Sequence, residues 1–413
     1  MVSRIEDYEG VEKVLGDVQA KIRVKRVTES VSSKQSFGRI SSEDIPSPSD
    51  VPDMATSHMD GFAVMADDLR EASQEARVRL RNVGEVGPVS RISLKIGHGE
   101  TARVATGAPL PVGADTVVPI EQTKVNRGWV SFSFVPEKGR WVFGRGHDLK
   151  RGEIILRKGQ RIRAQDVGRL LSLGIDRIRV YRKPKIAILA SGSELTDSTP
   201  KKGQIRNSHG PIFHDLVKVL GGQPVDEGIA RDVPSQVSGK LRRALGRSDF
   251  VLTLGGTSVG KRDVVGEAVS RLHPDVNYHG IRMDRGRVAG FAVVKGKSVL
   301  MMPGPIQGAM NAFLLFGVPT IDLLTGATGS LLTVTAHLKS EWKARDRFSG
   351  FTKVVYVRLE GGRLDAAVPI VGETESMSVL TKADGFVVVP EKVTRIQAGE
   401  RVEVKLLPGF SFA

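Results

Sequence analysis

From residue 185 onward the chain alternates short apolar runs with segments of helical spacing. Residues 185–190 (KIAILA) predict a strand ending at Ser191-Gly192-Ser193-Glu194. Residues 213–220 (FHDLVKVL) have helical spacing and stop at Gly221-Gly222. A strand through 225–230 (VDEGIA) follows, and Asp232-Val233-Pro234-Ser235 opens a helix towards Arg247. Residues 250–254 (FVLTL) are apolar throughout, which predicts a strand buried on both faces. A strand in SVLMMPG (298–304) and a helix in GAMNAFLLF (308–316) complete the set. Strands separated by helices of this length predict a parallel, doubly wound sheet over 183–326, a three-layer α/β domain. Such sheets bind ligands beyond the carboxyl ends of their strands. Here that edge would collect Glu194, Asp232, Gly255, Gly256, Thr257, Ser258, Asp263 and Pro303.

The flanking patterns differ. Residues 46–146 hold short strand-like runs broken by Gly/Pro turns (VRLRNVGEVG, TARVATGAPLPVGADTVVPIE, GWVSFSFVP), predicting a small β domain. Residues 163–174 (RAQDVGRLLSLG) predict a helix that could pack with an N-terminal helix in GVEKVLGDVQAKI. These give a discontinuous, helix-containing linker domain, 1–45 with 147–182. Beyond 327, FTKVVYVRLE, GFVVVPE and ERVEVKLL alternate as strands do, so 327–413 is read as a C-terminal β-barrel-like domain. The fold class is therefore multidomain α/β and β.

The chain has 413 residues, too many for one ordinary core. Its 40% hydrophobic and 26% charged residues are those of a water-soluble globular protein. With no 18-residue apolar run and no signal-peptide core in MVSRIEDYEG, it reads as cytoplasmic and not membrane-bound. No cysteine is present, which excludes disulfides, thiolate zinc sites and cysteine nucleophiles. The net charge is +15, and between Arg140 and Lys185 fourteen Lys/Arg face four acids. That stretch suits either a nucleic-acid surface or a solvated basic face. Aromatics are only 5% and do not interleave with the cations, so base-stacking platforms are disfavoured and a nucleic-acid partner is the weaker reading.

The run DFVLTLGGTSVGKRDVV (249–265) changes the picture most. A buried strand stops on Gly255 and Gly256, where absent side chains allow close approach to the backbone. Thr257 and Ser258 add hydroxyls before a helix start, where unpaired N–H groups and the dipole favour an anion. Asp263 would repel an anion unless a cation lies between them. From these residues alone the stretch is either an anion site or a tight turn with an acidic cap.

Six stretches in order resemble the molybdopterin molybdenumtransferase family, which includes the gephyrin E domain. They are SHMDGFAV (57–64), ATGAPLPVGADTVVPIE (105–121), GHDLKRGE with LLSLGI, ASGSEL (190–195), TLGGTSVGKRD (253–263) and LTKADGFVVVPE (380–391). The resemblance implies binding of adenylated molybdopterin, Mg2+-dependent hydrolysis of its phosphoanhydride with release of AMP, and insertion of molybdate or tungstate into the dithiolene. It also implies a homodimer in which Asp60 of one subunit meets Asp263 of the other. Carried over by position, Asp60, Asp148, Glu194 and Thr106 are catalytic. Asp232, Gly255, Gly256, Thr257, Ser258, Asp263, Arg287 and Pro303 bind substrate, and Asp60 and Asp263 hold the metal.

The chain departs from the family where Leu-Pro-Gly-Asn-Pro is usual: here Met302-Pro303-Gly304-Pro305-Ile306 stands. Lys-Pro-Gly-Lys-Pro becomes Asp284-Arg285-Gly286-Arg287-Val288, reversing one charge at the expected oxyanion. Ser193 stands where an Asp is usual, His147 where a Glu is, and Phe143 where an Arg is common. The charge reversal predicts weaker oxyanion binding, relieved by Asp284→Lys. Two readings follow: an active insertase, or a non-catalytic molybdopterin-binding paralogue acting as carrier, scaffold or sensor.

Overall fold

A computed structural model describes residues 8–89, 94–258, 263–327, 329, 331–361 and 365–409. The chain divides into two compact units: residues 1–43, 159–163 and 177–413 form one, and 44–158 with 164–176 form the other.

The first unit is built on a six-stranded sheet in the order Gln223–Ala230, Lys185–Ser191, Phe250–Leu254, Lys297–Met302, Gly290–Val294, Val276–His279. The first four strands are parallel, as the sequence predicts. The last two run antiparallel, an edge the apolar pattern did not reveal. Each central strand alternates its side chains between two cores. Ile186, Ile188, Phe250, Leu252, Leu300 and Met302 face a core shared with helices Val11–Lys21 and His209–Val219 and the long helix from Ile306. Ala187, Leu189, Val251, Val299 and Met301 face helices Pro234–Arg247 and Val264–Ser270. Burial on both faces explains why these strands read as unbroken apolar runs.

The N-terminal helix Val11–Lys21 buries Val11, Val14 and Val18 with Phe291 and Val293 of the antiparallel edge. The sequence reading paired it with 163–174; the edge strands supply the apolar face instead. The helical segment Ile306–Thr325 is long and apolar enough to cross a membrane, but it is 83% buried in this core. It contains a π turn over Phe313–Gly317, two residues before Pro319, whose missing N–H breaks the regular α-helical bonding. The same unit carries a closed five-stranded barrel in the order Thr333–Leu338, Ala366–Pro369, Lys353–Glu360, Gly385–Val389, Arg401–Leu406. Val357, Ala367, Val389 and Val404 fill it.

The second unit centres on a mixed six-stranded sheet: Thr116–Pro119, Gly61–Val64, Glu100–Val104, Val78–Val86, Trp129–Phe132, Thr123–Asn126. Phe62, Leu80 and Phe132 pack on one face, and Ala63, Val104 and Val117 on the other. Its helix Ala164–Ser172 corresponds to the predicted 163–174.

Candidate active site

In the α/β domain the strand order reverses direction between Lys185–Ser191 and Phe250–Leu254, because Gln223–Ala230 lies on one side and Phe250–Leu254 on the other. Crevices form at such switch points, beyond the carboxyl ends of the two strands. A cavity of about 310 Å³ opens there, lined by Glu194, Asn207, His209, Gly255, Gly304 and Glu375 among others. Ser191 and Pro305 complete its floor.

Backbone geometry explains the two glycines. Gly255 has φ +80° and Gly256 φ +67°, a region L-residues avoid. A Cβ at Gly255 would lie 2.6 Å from Ser191 O, and one at Gly256 2.7 Å from both Ser191 Oγ and Val265 Cγ2. Ser191 O belongs to the backbone of a central strand and cannot yield alone, and at Gly256 the Ser191 and Val265 side chains would have to shift. The hydroxyls of Ser191 and Thr257 are enclosed and without a partner among the described residues, so polar capacity is left beside the turn. Ser258 follows, half-buried; 259–262, the middle of the sequence motif, lie outside the described residues.

The predicted acids do different work. Asp232 Oδ2 accepts from Ser193 N at 3.0 Å, and Ser193 Oγ accepts from Asp232 N at 3.0 Å. This reciprocal clamp locks the loop that presents Glu194, and it gives the departure at Ser193 a structural role. Asp263 caps helix Val264–Ser270, with Oδ1 accepting from Gly266 N at 3.0 Å. Its Oδ2 lies 2.9 Å from His279 Nδ1. Both oxygens thus have partners within the chain. His279, which the sequence reading missed, sits on the antiparallel edge strand, and its Nε2 is buried without a partner among the described residues. His209, at the start of its helix, was also missed; burial pushes its pKa below the ordinary imidazole value.

A second cavity, of about 260 Å³, shares Pro305 and Glu375 with the first. Pro303 and four arginines line it: Arg285, Arg287, Arg345 and Arg347. Arg285 holds φ +52°, strained for a non-glycine residue, and its loop is fixed from beneath. Asn311 Nδ2 donates to the carbonyls of Asp284 and Arg285 at 3.2 Å, and Asn311 Oδ1 accepts from Tyr356 OH at 2.7 Å. Arg285 Nη1 donates to the buried Gln307. Burial, followed by the neighbouring Arg345 charge, lowers the Arg285 pKa. The guanidiniums of Arg345 and Arg347 lie 4.7 and 4.9 Å from the Phe348 ring centre. Asp284 is not an unopposed negative charge: its carboxylate is paired with Arg345. The charge reversal read from the sequence is therefore neutralised by a cation sixty-one positions away.

In the second unit Asp60 precedes strand Gly61–Val64. Its Oδ1 accepts from Thr106 N at 2.6 Å and Thr106 Oγ1 at 2.9 Å, which holds the carboxyl below its usual range. A Cβ at Gly61 would lie 2.1 Å from Val118 O, so the glycine after Asp60 is required by strand pairing. Oδ2 of this exposed carboxylate is open among the described residues. A single free carboxylate oxygen suits Mg2+, which is commonly held by one or two acids plus substrate phosphate. Among the described residues no three His, Cys, Asp or Glu cluster as a ready-made metal site. Asp148 is instead bound by Arg169 at 2.7 and 3.3 Å, which lowers its pKa. The departures Phe143 and His147 are coupled: their rings lie 4.8 Å apart, and His58 lies 4.3 Å from Phe143.

Comparison with known proteins bears on the whole chain. Residues 9–174 match the MoeA N-terminal region (domains I and II), 187–323 a probable molybdopterin binding domain, and 335–407 the MoeA C-terminal region (domain IV). A molybdopterin biosynthesis protein of Methanocaldococcus jannaschii is 31% identical over 396 residues, covering 93% of each chain. The chain belongs to the MoeA family. A molybdopterin molybdenumtransferase of Staphylococcus epidermidis is 28% identical over 95% of this chain and 93% of its own. The crystal structure of a MoeA molybdopterin biosynthesis protein from Pyrococcus horikoshii superposes with a TM-score of 0.83 at 32% identity, covering 98% of this chain and all of the other. The MoeA multidomain fold accounts for the α/β sheet and the closed barrel together.

Proposed function

We propose that this chain is a molybdopterin molybdenumtransferase of molybdenum cofactor biosynthesis, a cytoplasmic enzyme that inserts molybdate or tungstate into adenylated molybdopterin with release of AMP. One observation carries the reading. Two cavities share Pro305 and Glu375, one backed by the glycine turn and the other ringed by arginines. Joining a tetrahedral oxyanion to a pterin dithiolene needs both ligands side by side, and these cavities offer that arrangement.

The glycine turn and the Ser191 and Thr257 hydroxyls receive the pterin phosphate through backbone dipoles and neutral donors. Gly255 and Gly256 allow the approach, while Asp263 and His279 fix the start of the following helix. The guanidiniums of Arg287, Arg345 and Arg347 receive the oxyanion, whose geometry suits their planar forks. Glu194, presented by the Ser193–Asp232 clamp, stands at the mouth of the pterin cavity as the acid facing the reacting groups. Asp60, held ionised and oriented by Thr106, provides a carboxylate for Mg2+ and the phosphoanhydride. Mg2+ neutralises the phosphate charge during hydrolysis when bound. Asp263, assigned to the metal from the sequence, acts in this reading as cap and His279 partner. Asp148 acts through Arg169 as a positioning residue.

The protein works as a homodimer in this reading, with Asp60 of each subunit serving its partner's pterin cavity. Purified protein given adenylated molybdopterin, Mg2+ and molybdate should release AMP and form molybdenum cofactor in equal amounts. Pterin binding without AMP release would replace this reading by that of a carrier. Mixing Asp60→Asn and Asp263→Asn chains should restore part of the activity through heterodimers; two folded, dead chains that never complement would place the site within one chain.

A further inference from the structure

The carboxyl edge of the α/β sheet is accounted for by the site above; the opposite, amino edge has an unassigned recess. A cavity of about 640 Å³ lies between the end of helix Pro234–Arg247, the segment after helix Val264–Ser270, and the turn joining strands Gly290–Val294 and Lys297–Met302. Arg242, Arg271, Lys295 and Lys297 stand around it, with His273, and no acid lines it. A second cavity of about 230 Å³ shares Lys297 and adds Arg23, Lys25, Arg26 and Arg182. Its one acid, Asp249, is committed to Arg182 at 3.1 Å and to Lys185 N at 2.7 Å. Glu267, nearby on its helix, is committed to Arg271. Arg23, Lys25, Arg242 and Lys295 form no ion pair among the described residues. Beneath the cations the recess is apolar, with Leu245, Leu272 and Val294 in the larger cavity and Val27 and Leu324 in the smaller.

We propose that this trough docks an acidic polypeptide segment bearing apolar side chains between its carboxylates. The cations brought together from five distant stretches create a local positive potential that attracts such a segment and sets its register. The leucine and valine floor gives its apolar side chains a place to leave water. No Phe, Tyr or Trp lines either cavity and His273 is the one ring among the lining residues, so successive nucleic-acid bases would find no stacking platform, and phosphates would leave the apolar floor unused.

The test uses the full chain and three labelled probes of equal charge: a peptide alternating glutamate and leucine, poly-glutamate, and a single-stranded oligonucleotide. Fluorescence anisotropy at physiological salt should show the glutamate–leucine peptide binding most tightly. Arg242→Glu and Lys295→Glu, both at exposed positions, should each weaken it by roughly tenfold. Lys124→Glu, an exposed reversal in the other unit, should leave it unchanged, and thermal melting of each variant confirms that it is folded. The proposal fails if the oligonucleotide or poly-glutamate binds as tightly as the mixed peptide. It also fails if the trough reversals have no effect, or if Lys124→Glu weakens binding equally.

Discussion

The two cavities at the carboxyl edge share a floor but manage negative charge in opposite ways. In the cavity proposed for the pterin, Gly255 and Gly256 bring backbone close, and the hydroxyls of Ser191 and Thr257 stand behind. The arginine cavity is lined by four full charges, of which Arg285 is held by Gln307, Arg345 and Arg347 lie over the Phe348 ring, and Arg345 also pairs with Asp284. The first arrangement depends on space and is intolerant of added atoms. The second depends on charge balance, and is sensitive to which partner of a pair is removed.

This contrast predicts that the largest effect comes from adding volume to the turn. Gly256→Val places side-chain atoms where Ser191 and Val265 already lie, at a left-handed φ that costs ~1–3 kcal/mol by itself. Adenylated molybdopterin affinity should fall by more than about a hundredfold while oxyanion affinity, measured calorimetrically, changes little. An equal loss of both would mean that the two cavities are not independent.

Arg345→Ala comes next, because it removes a cation and leaves the Asp284 carboxylate unpaired beside the oxyanion. Arg345 is partly exposed, so the effect should fall below that of breaking a fully buried pair, at ~2 kcal/mol or roughly thirtyfold in molybdate affinity. Asp284→Lys should weaken binding by about tenfold, the reverse of the sequence expectation, since the new lysine repels the arginine that Asp284 holds. A tighter complex in calorimetry would restore the view that Asp284 opposes the oxyanion.

Two smaller effects concern pH. The folded-state pKa of His209 lies below its unfolded value, so its contribution is fully present above the ordinary imidazole pKa. That contribution is lost as pH falls from there towards the folded value. His209→Gln should flatten the decline in unfolding free energy between about pH 7 and 5; an unchanged slope would mean that other groups carry it. Asp148 has a lowered pKa, so its contribution is present above the ordinary carboxylate value and is lost as pH falls through the folded one. With its side chain half-exposed, Asp148→Asn should cost under ~1 kcal/mol at neutral pH in denaturant titration.

Sequence alone determined the four parallel strands of the sheet, the strand-end position of Glu194 and the glycine turn, and the order of the family motifs. Those features are local: a strand buried on both faces is an unbroken apolar run, and a left-handed turn calls for glycine within a few residues of it. The same is true of Asp60-Gly61, where the glycine is demanded by the adjacent strand. Tertiary structure alone decided that Asp284 meets Arg345, that Asp263 meets His279, that Asp148 is spent on Arg169, and that basic residues from 23 to 297 line two cavities sharing Lys297. It also decided the antiparallel edge, whose short strands carry little periodicity of their own. Charge pairing leaves no period in a chain, because a carboxylate reads the same in sequence whether it faces water, substrate or a guanidinium brought to it by the fold.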